Sequence, residues 1–217
     1  MAIYRFISND TDTYFKDPAD PAFDPGDTAV EVTNPFNLWP QITNPALADQ
    51  PEYVWSEDPV SPASAELGEI VDFGQAAESD GLAVALDLDF TIPVYLTVFA
   101  DNAFEGTLRV QGLDLLGVVI FEDEIPISGG TFDINTGLSP NDDWRIIYQF
   151  SDEVVAPVVL PIGTTIRFDL NITAMNYAQT DGTPETNPAA IQYLLELSDL
   201  PAGLTFTPDV PEVIAAP

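Results

Sequence analysis

The chain is 217 residues long and carries 36 acidic against five basic side chains, a formal net charge of −31, with no histidine and no cysteine. This composition excludes disulfides, thiolate metal sites and any nucleophile that relies on an imidazole partner. With one lysine (Lys16) and four arginines (Arg5, Arg109, Arg145 and Arg167) against that field, neither nucleic acid nor an anionic membrane is expected as a partner.

The N-terminus, Met1-Ala2-Ile3-Tyr4-Arg5-Phe6, has neither the long apolar stretch nor the cleavage site of a signal peptide. Synthesis in a host cytoplasm without export by that route is therefore expected. No run approaches the roughly 20 apolar residues of a membrane-spanning helix. Residues 1–62 hold nine prolines, a density that bars long helices and inner sheet strands. Phe15, Phe23, Phe36, Trp39, Tyr53 and Trp55 punctuate this stretch, and each needs a surface to bury against. These residues predict an extended proline-rich arm whose apolar anchors dock on its own domain or on a neighbouring subunit. The alternative is a set of ordered loops wrapping one domain. Within the segment, residues 28–33 alternate cleanly and read as a short edge strand.

From residue 63 the texture changes to short β-type runs, at 67–73, 82–90, 93–100, 106–113, 117–122, 130–134, 144–150, 154–160, 164–174, 191–197 and 204–207. Ile166, Phe168, Leu170 and Ile172 alternate with Arg167, Asp169, Asn171 and Thr173 in the period of a half-buried strand. Turn chemistry separates the runs: Asp80-Gly81, Ser128-Gly129-Gly130, Asn135-Thr136-Gly137 and Asp181-Gly182. Residues 188–200 fit a helical stripe as well as a strand and are read as a strand. The predicted fold is all-β, an antiparallel β-sandwich or jelly-roll-like domain over 63–207. The arm, 1–62, precedes it, and a loose tail, 208–217, follows.

Acidic clusters offer one candidate chemistry. Glu122, Asp123, Glu124, Asp142 and Asp143 are candidates for a structural cation (Ca, Mg, Na or K), which needs six to eight converging oxygens. None has an EF-hand spacing, and a solvated acidic face is the plainer reading. No other cofactor is expected. A glycosidase needs two carboxylates at a fixed separation, and no pair can be singled out among 36. Exposed tryptophans would suit a carbohydrate-binding module, with Trp39, Trp55 and Trp144 as candidates. The competing reading places Trp144 at the start of a core-facing strand and the other two in the arm.

The charge describes a solvent. A folded monomer of this mass exposes on the order of 10,000 Å², which spaces 36 carboxylates roughly 16–17 Å apart. Near 0.1 M salt the Debye length of ~10 Å leaves neighbours repelling one another; at molar salt it falls to ~3 Å. With 46% hydrophobic residues and 23 aromatics the chain has the means to fold, so the pattern reads as adaptation to concentrated brine. A secreted calcium-dependent module and an acidic marine protein are the alternatives.

In its lack of catalytic chemistry, sandwich pattern, proline-spaced aromatic segment and acidity, the chain resembles structural proteins of haloarchaeal tailed viruses. That resemblance implies a non-enzymatic virion component, a capsid decoration or turret protein on the particle exterior. It would assemble as a homo-oligomer, a trimer or ring, and with other virion proteins. Two alternatives stand beside it. One is a cell-surface or secreted carbohydrate-binding adhesion module. The other is a tail or filament subunit that donates residues 1–10 or 28–33 as a strand.

Overall fold

Alternation that buries Ile166, Phe168, Leu170 and Ile172 on one face places their strand at the centre of a sheet. The computed structural model describes residues 2–86, 90–135, 143–156 and 158–214. In chain order its elements are β1 (Ala2–Ile7), β2 (Tyr14–Lys16), β3 (Val30–Glu31), β4 (Val54–Trp55), α1 (Pro62–Leu67), β5 (Glu69–Ser79) and β6 (Phe90–Asp101). There follow β7 (Ala103–Leu113), β8 (Val119–Gly129), a 3-10 turn (Asp143–Arg145), β9 (Tyr148–Ala156), β10 (Thr165–Asn176), β11 (Ala190–Leu200) and β12 (Phe206–Asp209). The protein is an all-β sandwich of two antiparallel sheets.

One sheet runs β3-β4-β11-β6-β9, with β1 also on β11; the other runs β12-β5-β10-β7-β8, with β2 also on β5. From β5 to β12 only the β7–β8 hairpin joins neighbours in one sheet, and every other step crosses between sheets. The connections therefore collect at the two ends of the sandwich. The inner faces meet in one core that includes Phe6, Phe73, Leu96, Leu108, Phe168, Leu170 and Leu195.

Residues 2–62 do not form a separate arm. Their strands lie along the outer margins of the sheets: β1 and β4 share one edge of β11, and β2 lies beside β12 on one edge of β5. The physical reason is that an edge strand needs partners on one side only, so short proline-bounded pieces suffice. Gly74 of β5 shows how closely the segment packs. A side chain there would run into Phe23 and Pro211, which meet over the outer face of the sheet.

The tail is not loose through Ile214. β12 pairs with β5, and the backbone beyond it is fastened by buried charge. Asp169, fully buried on β10, accepts from Arg167 Nε at 2.9 Å, Arg109 Nη2 at 3.1 Å and the Glu212 amide at 3.0 Å. Arg167 also donates to Asp209 at 2.6 Å and Arg109 to Glu212 at 2.7 Å. Burial pulls the Arg167 pKa down, but Asp169 and Asp209 more than offset it and leave it raised.

Other expectations shift at their edges. The 188–200 segment is a strand from Ala190 on, β11, and the 28–33 strand is reduced to β3. The 67–73 run begins after a short helix, α1, whose N-cap Ser61 accepts from the Ser64 amide. Of the 82–90 run, residues 87–89 lie outside the described residues and 82–86 form no strand beyond an isolated Leu86–Leu160 bridge; the 130–134 run is turn and coil. The run expected from Trp144 starts as the 3-10 turn, and β9 begins at Tyr148.

Candidate functional site

Four connections converge at the end of the sandwich where β6 finishes and β11 begins. The long β3–β4 loop supplies Phe36 and Trp39, the last residue of β6 is Asp101, and the 3-10 turn carries Trp144. Thr186, Asn187 and Pro188 lead into β11. Together they line a cleft of about 290 Å³. Phe36 meets Trp144 edge-on at 5.6 Å and Trp39 at 6.4 Å, and Trp39 packs inward on Phe99 and Tyr53. Arg145 lies over the Trp144 ring, 4.0 Å from its centroid.

The polar floor of this cleft is held from behind. Asp101 is 5% exposed, and its carboxylate takes hydrogen bonds from Asn102 Nδ2 at 2.6 Å and from Trp39. Burial pushes its pKa well above the ordinary carboxylate value, against the pull of those two donors. Asn102 Oδ1 accepts from the Tyr177 amide at 2.8 Å, and Asn187 Nδ2 donates to the carbonyls of Ala65 and Tyr177. Such a network fixes side-chain directions before any ligand arrives.

The opposite end is apolar. There the β7–β8 turn presents Leu115 and Leu116, 81% and 86% exposed, beside the β9–β10 connection with Val158, Val159 and Ile162. Segment 81–86 joins them. The Gly163 amide donates to the Leu82 carbonyl at 2.9 Å, and the Leu82 amide donates to the Thr164 carbonyl at 2.8 Å. Leu115 lies against Gly163, which holds a φ of +88° that a larger residue resists. Val84 and Val118 are exposed at the same end. Residues 81–86, 115–121 and 154–166 contain no charged side chain.

The six interface candidates from the sequence fall out differently. Trp55 is wholly enclosed, its Nε1 donating to Glu69 at 2.8 Å, and Phe23, Trp39 and Tyr53 are also buried within their own chain. Phe15 is half-buried on β2, opposite Phe73. Only Phe36 stays open, at 38% exposure, and it lies in the cleft. Phe23, Trp39, Tyr53 and Trp55 have their apolar surface covered within this sandwich, whereas Phe15 and Phe36 keep part of theirs open.

The acidic candidates sit on a strand. Glu122, Asp123 and Glu124 lie within β8, which pairs only with β7 among the described residues. Successive side chains there alternate between faces, and Glu122 takes a hydrogen bond from Gln111 at 2.5 Å. Carboxylates along an outer strand oppose pairing with a second sheet edge. Asp142 and the side chain of Asp143 lie outside the described residues. Among the described residues no group of three or more acidic side chains is placed to hold a metal ion.

Four of the five cations are engaged in ion pairs within the chain: Arg5 with Glu196, Lys16 with Asp72, and Arg109 and Arg167 with Asp169 and the tail. Among the described residues no helix is long and apolar enough to cross a membrane. The sequence reading singled out Trp39 and Trp144 but missed Asp101, Asn187 and the apolar end. One signal was available: 32–48 and 154–166 are the two longest stretches of the chain without a charged residue. The first supplies Phe36 and Trp39 to the cleft and the second supplies part of the apolar end. No protein-family model matches this chain, and no curated protein is significantly similar to it.

Proposed function

We propose that this chain is a non-enzymatic structural subunit of the virion of a halophilic virus. In this reading it is a decoration or turret protein on the capsid exterior, assembling with copies of itself and with other virion proteins. The apolar end is the observation that carries the proposal. A body with a net charge of −31 leaves Leu115, Leu116, Val118, Val159 and Ile162 together in solvent at one extremity. Exposed apolar patches of this kind mark contact surfaces. Covering such side chains contributes about 1.5–3 kcal/mol each when burial is complete. Concentrated salt screens the repulsion between acidic neighbours without removing that gain. In this reading contact runs through this end rather than through residues 15–55, where Phe23, Trp39, Tyr53 and Trp55 are buried within the chain.

Internal pairing of four cations supports a partner other than nucleic acid. Strand donation by residues 1–10 or 28–33 gains no support, because β1 and β3 are already paired within the chain. The test is immunogold labelling of intact particles from an infected haloarchaeal culture, with antiserum raised against this chain. Label over the capsid exterior is expected. Label confined to tails or to host cells, or no label on particles, overturns the assignment.

A further inference from the structure

We propose that the cleft between Phe36, Trp39 and Trp144 binds a neutral sugar residue of a glycan, with the rings as walls and Asp101, Thr186 and Asn187 as polar contacts. The inference is independent of the virion reading, since it concerns the other end of the molecule and an isolated subunit suffices to test it.

Size comes first. At about 290 Å³ the cleft sits at the lower bound of small-ligand pockets, roughly 300–1,000 Å³, which suits a single ring. It shares Phe36 and Pro188 with a neighbouring depression of about 700 Å³, to which Thr33, Asn34 and Asn37 add neutral polar groups. A short oligosaccharide can therefore continue past Phe36.

Chemistry points the same way. A pyranose has apolar C–H faces and a rim of hydroxyls that both donate and accept. The cleft offers aromatic walls beside the Asp101 carboxyl, the Asn187 amide and the Thr186 hydroxyl. Asn187 Nδ2 is held by the Ala65 and Tyr177 carbonyls and its amide oxygen is an acceptor, while the Thr186 hydroxyl also bonds Thr183. Asp101 and Asn187 are buried and fixed by the network through Asn102 and Tyr177, so little ordering is left for binding to cost.

Charge separates this ligand from its rivals. Among the described residues the cleft lining holds no cation, and Glu57, Asp58 and Glu185 border the adjoining depression, so an anionic ligand is repelled. A cationic ligand would find aromatic rings, but Arg145 already lies over Trp144. Burial also favours the neutral form of Asp101, which makes it a hydroxyl partner rather than a counter-ion. In concentrated salt, stacking and hydrogen bonding persist where ion pairing is screened.

The experiment is saturation-transfer NMR with tryptophan fluorescence on the full chain in about 3 M KCl, where the Debye length is below ~3 Å. The probes are glucose, galactose, mannose, maltotriose and cellotriose. Saturable binding of at least one is expected, tighter for a trisaccharide than for its monomer. Trp144→Ala and Phe36→Ala should each weaken it about tenfold with the melting temperature held, as both rings are partly exposed. Asp101→Asn, which keeps the shape of the floor, should weaken it several-fold. Absence of saturable binding by all five probes overturns the proposal, as does binding indifferent to both aromatic variants. Displacement of bound sugar by equimolar tetramethylammonium chloride would identify a cation cage and overturn it equally.

Discussion

The two ends of the sandwich are built by the same strands yet offer opposite chemistry. Strands of eleven or twelve residues, at ~3.3 Å per residue, hold them roughly 35–40 Å apart. At one end, short turns leave most of the surface of Leu115, Leu116 and Ile162 in solvent. At the other, a long loop folds its aromatics back onto Asp101 and Asn187, so apolar and polar groups share one cleft. The difference lies in the connections. The β7–β8 turn and the β9–β10 connection leave Leu115, Leu116, Val159 and Ile162 exposed, whereas the β3–β4 connection is long enough to bury Trp39 while presenting Phe36. An end that gathers exposed apolar side chains suits a protein surface; an end that mixes rings with fixed polar groups suits a small polar ligand.

The largest expected effect removes both ends together. On dialysis from about 3 M salt to about 0.1 M, circular dichroism should show loss of the β signal, because the lengthening Debye length restores repulsion among 36 carboxylates. A signal indifferent to dilution would refute the high-salt reading and leave the acidity of the body unexplained. Arg167→Met should come next, at about 3–5 kcal/mol in denaturant unfolding, because it strips a hydrogen-bonded partner from the buried Asp169. That loss belongs to the shared body and should lower the stability of both ends alike.

Smaller effects should tell the ends apart. The double variant Leu115→Asp/Leu116→Asp should abolish incorporation into particles while moving stability by no more than about 0.5 kcal/mol, since both side chains are exposed. Sugar binding should be untouched. If particles still incorporate the double variant, the apolar end is not the contact surface.

At the cleft end the smallest effect is a pH slope. Asp101 has a raised pKa in the fold, so the folded chain holds this proton more tightly than the unfolded chain does. Its effect on stability is therefore most favourable at low pH and is lost as pH rises from the ordinary value of 3.8 towards the raised one. Asp101→Asn has no proton to lose. Its melting temperature relative to the unmodified protein should climb as pH rises above 3.8 at fixed salt. Parallel curves would show that Asp101 is not held protonated by burial.

Much of the sandwich was legible because alternation is a local property. Ile166, Phe168, Leu170 and Ile172 announce β10, and β11 follows from the same period despite its helical ambiguity. The cleft was only half legible. Trp39 and Trp144 are conspicuous, but Asp101 looks like any of the other carboxylates until β6 ends it against Trp39 and Asn102. Glu122, Asp123 and Glu124 mislead for the converse reason: adjacency in sequence suggests convergence, yet a strand sends neighbours to opposite faces.

The sequence by itself determined the charge of the body and the fold class: charge count and apolar period need no partner residue to be read. Only the tertiary structure decided where residues 2–62 and the tail belong, because edge pairing and burial depend on groups up to about the full chain length away, as Ala2 opposite Leu200 shows. It also decided which uncharged stretches meet. Residues 32–48 and 154–166 look alike in composition, and the strands between them carry one to a lined cleft and the other to a bare apolar end.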